Sequence, residues 1–320
     1  MLLFETRSPG WLVPLFALSL PVSAQTFPFA PALHSAPMAE RFGKPYVMVS
    51  INGHGPYRFI IDTGTGADAF ISPELADQLH LPTVAEVVVR DPSGQGGQRV
   101  GLVTLDTVEL AGIAFHDIRA IRHTITGEAG TCQGLLGFTL FRNYLLTLDF
   151  PRRQVILAQG ALQEDGARTV LPFHMPDGVP VTSLRVSGRQ VDAQLDSGGG
   201  GLTLPEELAA HMRWEIAPVV FASGQTMATR FAMKAAKLGS DVTVGRYTFT
   251  HPVVEIHPAF PLVNFGSPPM QSFAITFDQK TLLVRLRADH DHFDVLAPPS
   301  PPRMTNAPQV APPTNLVPIG

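Results

Sequence analysis

Two short acidic segments are the residues best placed to do chemistry: Asp62-Thr63-Gly64 and Asp196-Ser197-Gly198, 134 positions apart. Each sets a carboxylate before a hydroxyl and a glycine. Two carboxylates at hydrogen-bonding distance cannot both ionise, so the pair holds one proton between the extremes of pH. One oxygen is then a base for water and another an acid for a carbonyl, which is hydrolysis without metal or covalent intermediate. The hydroxyl offers a donor and an acceptor, and the glycine lets backbone approach the carboxylate in a tight turn.

Such a pair forms only if the fold brings the two segments together, and the surrounding sequence is written twice in a way that does this. The stretch 49–64 is answered by 184–198, each reading as a hairpin, then a strand, then Asp-hydroxyl-Gly. Ser72-Pro73-Glu74-Leu75 is matched by Leu204-Pro205-Glu206-Glu207, each predicting a short helix opened by proline with an acid in its first turn. Val108–Phe115 matches Val242–Phe249, and Leu136-Gly137-Phe138 with Leu146–Asp149 is answered by Phe265-Gly266-Ser267 with Ala274–Asp278. Order and nearly spacing are kept, so two homologous lobes are expected. Packed face to face like the subunits of a two-fold dimer, they would meet with one aspartate from each near the axis.

Within each half the segments are short, alternating and rich in Val, Ile, Thr and Phe, with Gly, Pro, Asn and Asp between them, for example Tyr46–Ile51 and Thr281–Leu286. This predicts an all-β protein with a few short helices. The 320 residues are 45% hydrophobic, enough for two cores, and the 23 Lys+Arg against 27 Asp+Glu leave a net charge of −4 without long single-sign runs. That balance carries no footprint for nucleic acid. The single Cys132 can close no intramolecular disulfide and build no cysteine zinc site; it reads as a buried small residue.

Residues 1–24 read as a cleaved signal peptide: an apolar stretch behind Arg7, interrupted by Pro14 and Pro21 and ending in small residues at Ala24. The expected destination is the periplasm or the exterior, with no membrane span in the mature chain. The expected organisation is then a first lobe at 25–160, a second at 161–290, and a Pro-rich disordered tail at 291–320, with 8 prolines in its last 25 residues.

Ile61-Asp62-Thr63-Gly64-Thr65-Gly66 and Leu195-Asp196-Ser197-Gly198 resemble the catalytic signatures of retropepsin-like and pepsin-like aspartic proteases. Gly134-Leu135-Leu136-Gly137-Phe138 and Leu148-Asp149-Phe150 resemble that family's second signature stretch, and the likeness spans roughly residues 40–288. The resemblance implies a bilobal acid-protease fold, Asp62 and Asp196 as the dyad that activates water, and Thr63 and Ser197 as interlocked hydroxyls beneath it, with Gly64 and Gly198 in support. It implies a peptide or protein substrate, no cofactor, no metal and a monomer. Residues 83–101, with Gly94, Gly96 and Gly97, look like the hairpin that closes over substrate, and a similar hairpin is expected around Ser223-Gly224-Gln225. The chain departs from the family pattern at Gly199-Gly200-Gly201 and at Asn264, which stands where the first half has Leu135. These changes predict a second site loosened by lost packing and lost hydroxyl contacts, at ~1 kcal/mol for each added glycine.

The expected function is that of an exported aspartic endopeptidase. Its alternatives are a catalytically inactive peptide-binding relic and a homodimer using only the first lobe. A third is an actin-like ATP-binding protein, whose Asp-x-Gly-Gly-Gly motif resembles Asp196–Gly200. Asp289–Asp294 could hold a metal but reads more simply as a solvated terminus, and Asp68 reads as a turn residue.

Overall fold

Asn52 and Gly53 take φ of 50° and 75°, and Ser187 and Gly188 take 53° and 77°, in a computed structural model of the chain. Positive φ at both central residues makes the two-residue turn whose twist matches the flanking strands. Each turn folds a strand back on its neighbour: Lys44–Ile51 on His54–Asp62, and Val181–Val186 on Arg189–Asp196. The structure describes residues 33–41, 43–90, 97–125, 132–225, 230–258 and 260–294.

The duplication read from sequence is present strand for strand. In the first half the order is Lys44–Ile51, His54–Asp62, Gly134–Gly137, Ala69–Ile71, Ile113–Arg122, Gln98–Leu110 and Ala85–Val89. In the second it is Val181–Val186, Arg189–Asp196, Val263–Gly266, Leu202–Leu204, Val253–Ile256, Arg230–Leu238 and Trp214–Gln225. The strand ending in each aspartate pairs in parallel with a Gly-ended strand, Asp62 opposite Gly137 and Asp196 opposite Gly266. Parallel pairs are covered on both faces. Accordingly, Phe59-Ile60-Ile61 before Asp62 is a continuous buried run, and Leu195 before Asp196 is fully buried.

A third set of strands joins the halves. Leu145–Asp149 pairs antiparallel with Ala274–Asp278, and this central pair is extended by Gln154–Ala158 and Leu33–Pro37 on one side and by Leu283–Arg287 and Val170–His174 on the other. Thr147 faces Thr276 at the middle, their hydroxyls 2.8 Å apart. Phe138 packs edge-on against Phe277 and Phe173, centroids 5.2 and 6.0 Å away, which links the two lobes through one apolar core.

The protein is all-β, 57% strand and 9% helix, as the alternating segments predict. Among the described residues the α-helices Pro73–Gln78, Glu206–Ala209 and Ser267–Met270 do not exceed six residues, which is not the architecture of an actin-like ATP-binding protein. The first helix starts as expected, with Ser72 capping Leu75 N–H at 3.2 Å and Pro73 inside the helix. The second differs. Pro205 is itself the capping residue and offers no side-chain acceptor, so the helix lasts one turn.

Ordered structure also continues past residue 290. His292–Phe293 pairs in parallel with Tyr247–Phe249, and the Phe293 ring stacks on Phe249 at 5.1 Å and meets Phe273 at 5.0 Å. Asp291 accepts from Arg246 Nε at 2.9 Å. The boundary expected at 290 is thus too early, because these two residues close the aromatic end of the second lobe. The signal segment 1–24 and the tail from 295 lie outside the described residues. Among the described residues no group of His, Cys, Asp or Glu is arranged to hold a metal, and no helix is long and apolar enough to cross a membrane.

Phe293→Ala removes a half-buried ring at the cost of about 2 kcal/mol, so it should lower Tm by about 5 °C. An unchanged melting curve by differential scanning fluorimetry contradicts this closing role.

Candidate active site

The two Asp-hydroxyl-Gly turns interlock. Thr63 N–H donates to Ser197 Oγ at 3.0 Å, and Ser197 N–H donates to Thr63 Oγ1 at 2.9 Å. Each hydroxyl also donates across the axis, Thr63 Oγ1 to Leu195 O and Ser197 Oγ to Ile61 O, both at 2.7 Å. Thr63 and Ser197 are fully buried, so each turn satisfies its buried donors only through the other.

This grip sets the aspartates side by side. A methyl group on Gly198 would stand 2.5 Å from the Asp62 carboxyl carbon, and one on Gly64 would overlap the Asp196 carboxylate. Each glycine thus leaves the space that the opposite carboxylate occupies. Within its own turn each carboxylate accepts the N–H of its glycine at 2.9 Å, Gly64 to Asp62 Oδ1 and Gly198 to Asp196 Oδ1. The other oxygens have different donors: Thr65 Oγ1 to Asp62 Oδ2 at 3.0 Å, and Asn264 Nδ2 to Asp196 Oδ2 at 2.8 Å.

The electrostatics follow from this crowding. Burial, and then the neighbouring charge of Asp196, raise the Asp62 carboxyl from 3.8 to about 7, against the opposing pull of Thr65, Lys44 and the Gly64 N–H. Asp62 therefore keeps its proton over most of the acid range.

The structure brings together Asp62, Thr63, Gly64, Asp196, Ser197 and Gly198. Of the proposed substrate-closing glycines, Gly94 and Gly96 lie outside the described residues, while Gly97 sits exposed next to the strand Gln98–Leu110, which pairs with Ala85–Val89. The second hairpin, Trp214–Gln225 with Arg230–Leu238, stands at the equivalent edge and exposes Ile216, Val219 and Val220. Asp68 accepts from Thr139 Oγ1 at 2.7 Å and pairs with Arg142, which ties its turn to the short helical turn Phe138–Phe141. Cys132 is buried beside Tyr46, Ile60 and Ile125.

The sequence did not point to the role of Asn264, read there as a departure that loosens the second site. Its amide instead supplies a buried hydrogen bond to Asp196, and the backbone around it is intact: Gly199 N–H reaches Asp196 O at 3.0 Å, as Thr65 N–H reaches Asp62 O at 3.2 Å. Two further buried groups also escaped sequence reading. Burial pushes the Glu255 carboxyl up, opposed by a hydrogen bond from Thr203, and pushes His257 down to about 4. The only signal available was that Glu255 stands where the first half has Ile121.

Because the folded-state value of Asp62 lies above its unfolded one, the folded state binds this proton more tightly. The resulting stabilisation is complete below about pH 4 and is lost as pH rises through about 7. Asp62→Asn removes this dependence, so between pH 4 and 7 its stability should fall less than that of the unsubstituted chain. The difference should be on the order of 2 kcal/mol once partial solvent access is allowed for. Parallel slopes in urea titrations across that window contradict the shared proton. Gly198→Ala should push Asp62 away from its partner and weaken the same pH dependence.

A family model described as aspartyl protease matches residues 47–140, the segment that carries Asp62, its interlocking Thr63 and the Gly-ended strand Gly134–Gly137. No curated protein matches the chain. The match supports a hydrolase of the protease class. Over residues 47–140 the first lobe is thus similar to aspartyl proteases, which is consistent with a retropepsin-like aspartic protease family.

Proposed function

We propose that the chain is an exported aspartic endopeptidase of retropepsin-like type in which one polypeptide supplies both carboxylates. The observation that carries this is the reciprocal fit of Asp62 against Gly198 and Asp196 against Gly64, with the Asp62 carboxyl raised to about 7. A water molecule held between the two carboxyl groups loses a proton to the ionised member as its oxygen attacks a peptide carbonyl. The protonated member gives its proton to the carbonyl oxygen. The resulting gem-diol then collapses, with the proton delivered to the leaving nitrogen, and the pair returns to its one-proton state.

The interlocked hydroxyls hold the dyad to within the small displacement such a step tolerates. The exposed apolar side chains Val88, Ile216, Val219 and Val220 on the two hairpins offer contacts to an extended peptide. The apolar segment ahead of Ala24 supports delivery to the periplasm or the exterior.

Asp62→Asn and Asp196→Asn should each abolish cleavage of a random peptide library by the mature chain. Loss in the first variant alone points instead to a homodimer using only the first lobe, and absence of cleavage in the unsubstituted protein points to a binding relic. Turnover should decline as pH rises through about 7, where Asp62 gives up its proton. An activity that rises across that range is incompatible with the mechanism.

A further inference from the structure

The two halves of the site share a backbone but differ in one row of side chains. In the first half, Ile60, Leu135, Phe70 and Ile121 are neighbours in successive register across four strands. The corresponding row of the second half is Gln194, Asn264, Thr203 and Glu255. Four apolar residues of the first half thus correspond to four polar ones of the second, in the row two residues before each aspartate. Asn264, Thr203 and Glu255 are each at most 5% exposed, so this is a buried polar layer and not a solvated edge.

The same comparison isolates position 199. In the first half Thr65 supplies the hydroxyl that binds the second oxygen of Asp62. Its counterpart is Gly199, which has no side chain, and the second oxygen of Asp196 is bound by Asn264 instead. The two solutions exclude each other. A Cβ on Gly199 would lie 2.9 Å from Asn264 Nδ2 and 2.8 Å from Asp196 Oδ2. Backbone conformation is not the obstacle, since Gly199 has no positive φ. Its carbonyl accepts Ser267 N–H at 3.2 Å, as Thr65 O accepts Phe138 N–H at 2.9 Å.

We propose that Asn264 is the positioning residue for Asp196, standing in for the hydroxyl absent at Gly199, and that the residues at 199 and 264 are interchangeable only as a pair. The amide N–H is a suitable donor because it can only donate, so it fixes which oxygen of Asp196 is tied down and leaves Oδ1 to Gly198 N–H. In the remaining row Glu255 accepts from Thr203, and burial pushes its carboxyl up against that bond. Among the described residues Asn264 Oδ1 has no hydrogen-bond partner, so the polar contact of this side chain is the one its amide end makes to Asp196.

The inference rests on the hydrolytic role proposed above and is tested on the mature full-length protein. Asn264→Leu, nearly isosteric and copying Leu135, should lower kcat at least tenfold with little change in KM. Gly199→Thr alone should also lower it, by crowding both the amide and Asp196 Oδ2. Gly199→Thr combined with Asn264→Leu rebuilds the first-half arrangement and should recover at least tenfold of the kcat lost in Asn264→Leu. Melting temperatures of the four proteins should be non-additive in the same sense, the double variant melting above Asn264→Leu. Full activity in Asn264→Leu, or a double variant no better than that single one, overturns the proposal. If the unsubstituted protein cleaves nothing, the hydrolytic role fails, and additive melting temperatures then overturn the pairing of the two positions separately.

Discussion

The reciprocal hydrogen bonds between Thr63 and Ser197 tie together two turns that are 134 residues apart in the chain, and the rest of the site depends on them. Four donors at the centre of the molecule, two backbone N–H groups and two hydroxyls, find their acceptors only across the axis. Parting the turns would leave them buried and unsatisfied, at about 1–3 kcal/mol each. The lobes are therefore held in one register, and the aspartates, which precede these residues, cannot drift apart without breaking it. The shared strands Leu145–Asp149 and Ala274–Asp278 hold the same register from below.

Symmetry of the backbone does not make the two carboxyl groups equivalent. Asp62 receives a hydroxyl from its own turn, whereas Asp196 receives an amide from a neighbouring strand. The row two residues before the aspartate is Ile60, Leu135 and Phe70 in the first lobe and Gln194, Asn264 and Thr203 in the second. The duplicated backbone thus supplies the geometry, and side-chain differences give the two aspartates different hydrogen-bond donors.

Most of this arrangement was legible in the linear chain because the motifs and strand patterns recur in order. Alternating apolar residues with Gly, Asn and Asp between them predicted the β architecture, and the hairpin turns at Asn52-Gly53 and Ser187-Gly188 are local chemistry. The failures are of another kind. Pro205 repeats the position of Pro73 but lacks the preceding hydroxyl, so the helix it begins is only one turn long. Phe293 looked like part of a polar terminus because its partners Phe249 and Phe273 are distant in sequence. Asn264 and Gly199 looked like two independent losses, since nothing in a one-dimensional string says that one side chain fills the space the other vacates.

What the sequence alone determined was the pairing of equivalents: two lobes, strand for strand, each ending a buried strand in Asp-hydroxyl-Gly. Periodicity and turn chemistry are properties of neighbouring residues, so they survive in the string. Only the tertiary structure decided that the aspartates share one space, that burial and Asp196 raise the Asp62 carboxyl, and that Asn264 donates to Asp196. Those facts depend on distances of about 3 Å between residues far apart in the chain, and on the burial that makes a charge costly. Both arise only when the lobes close on each other.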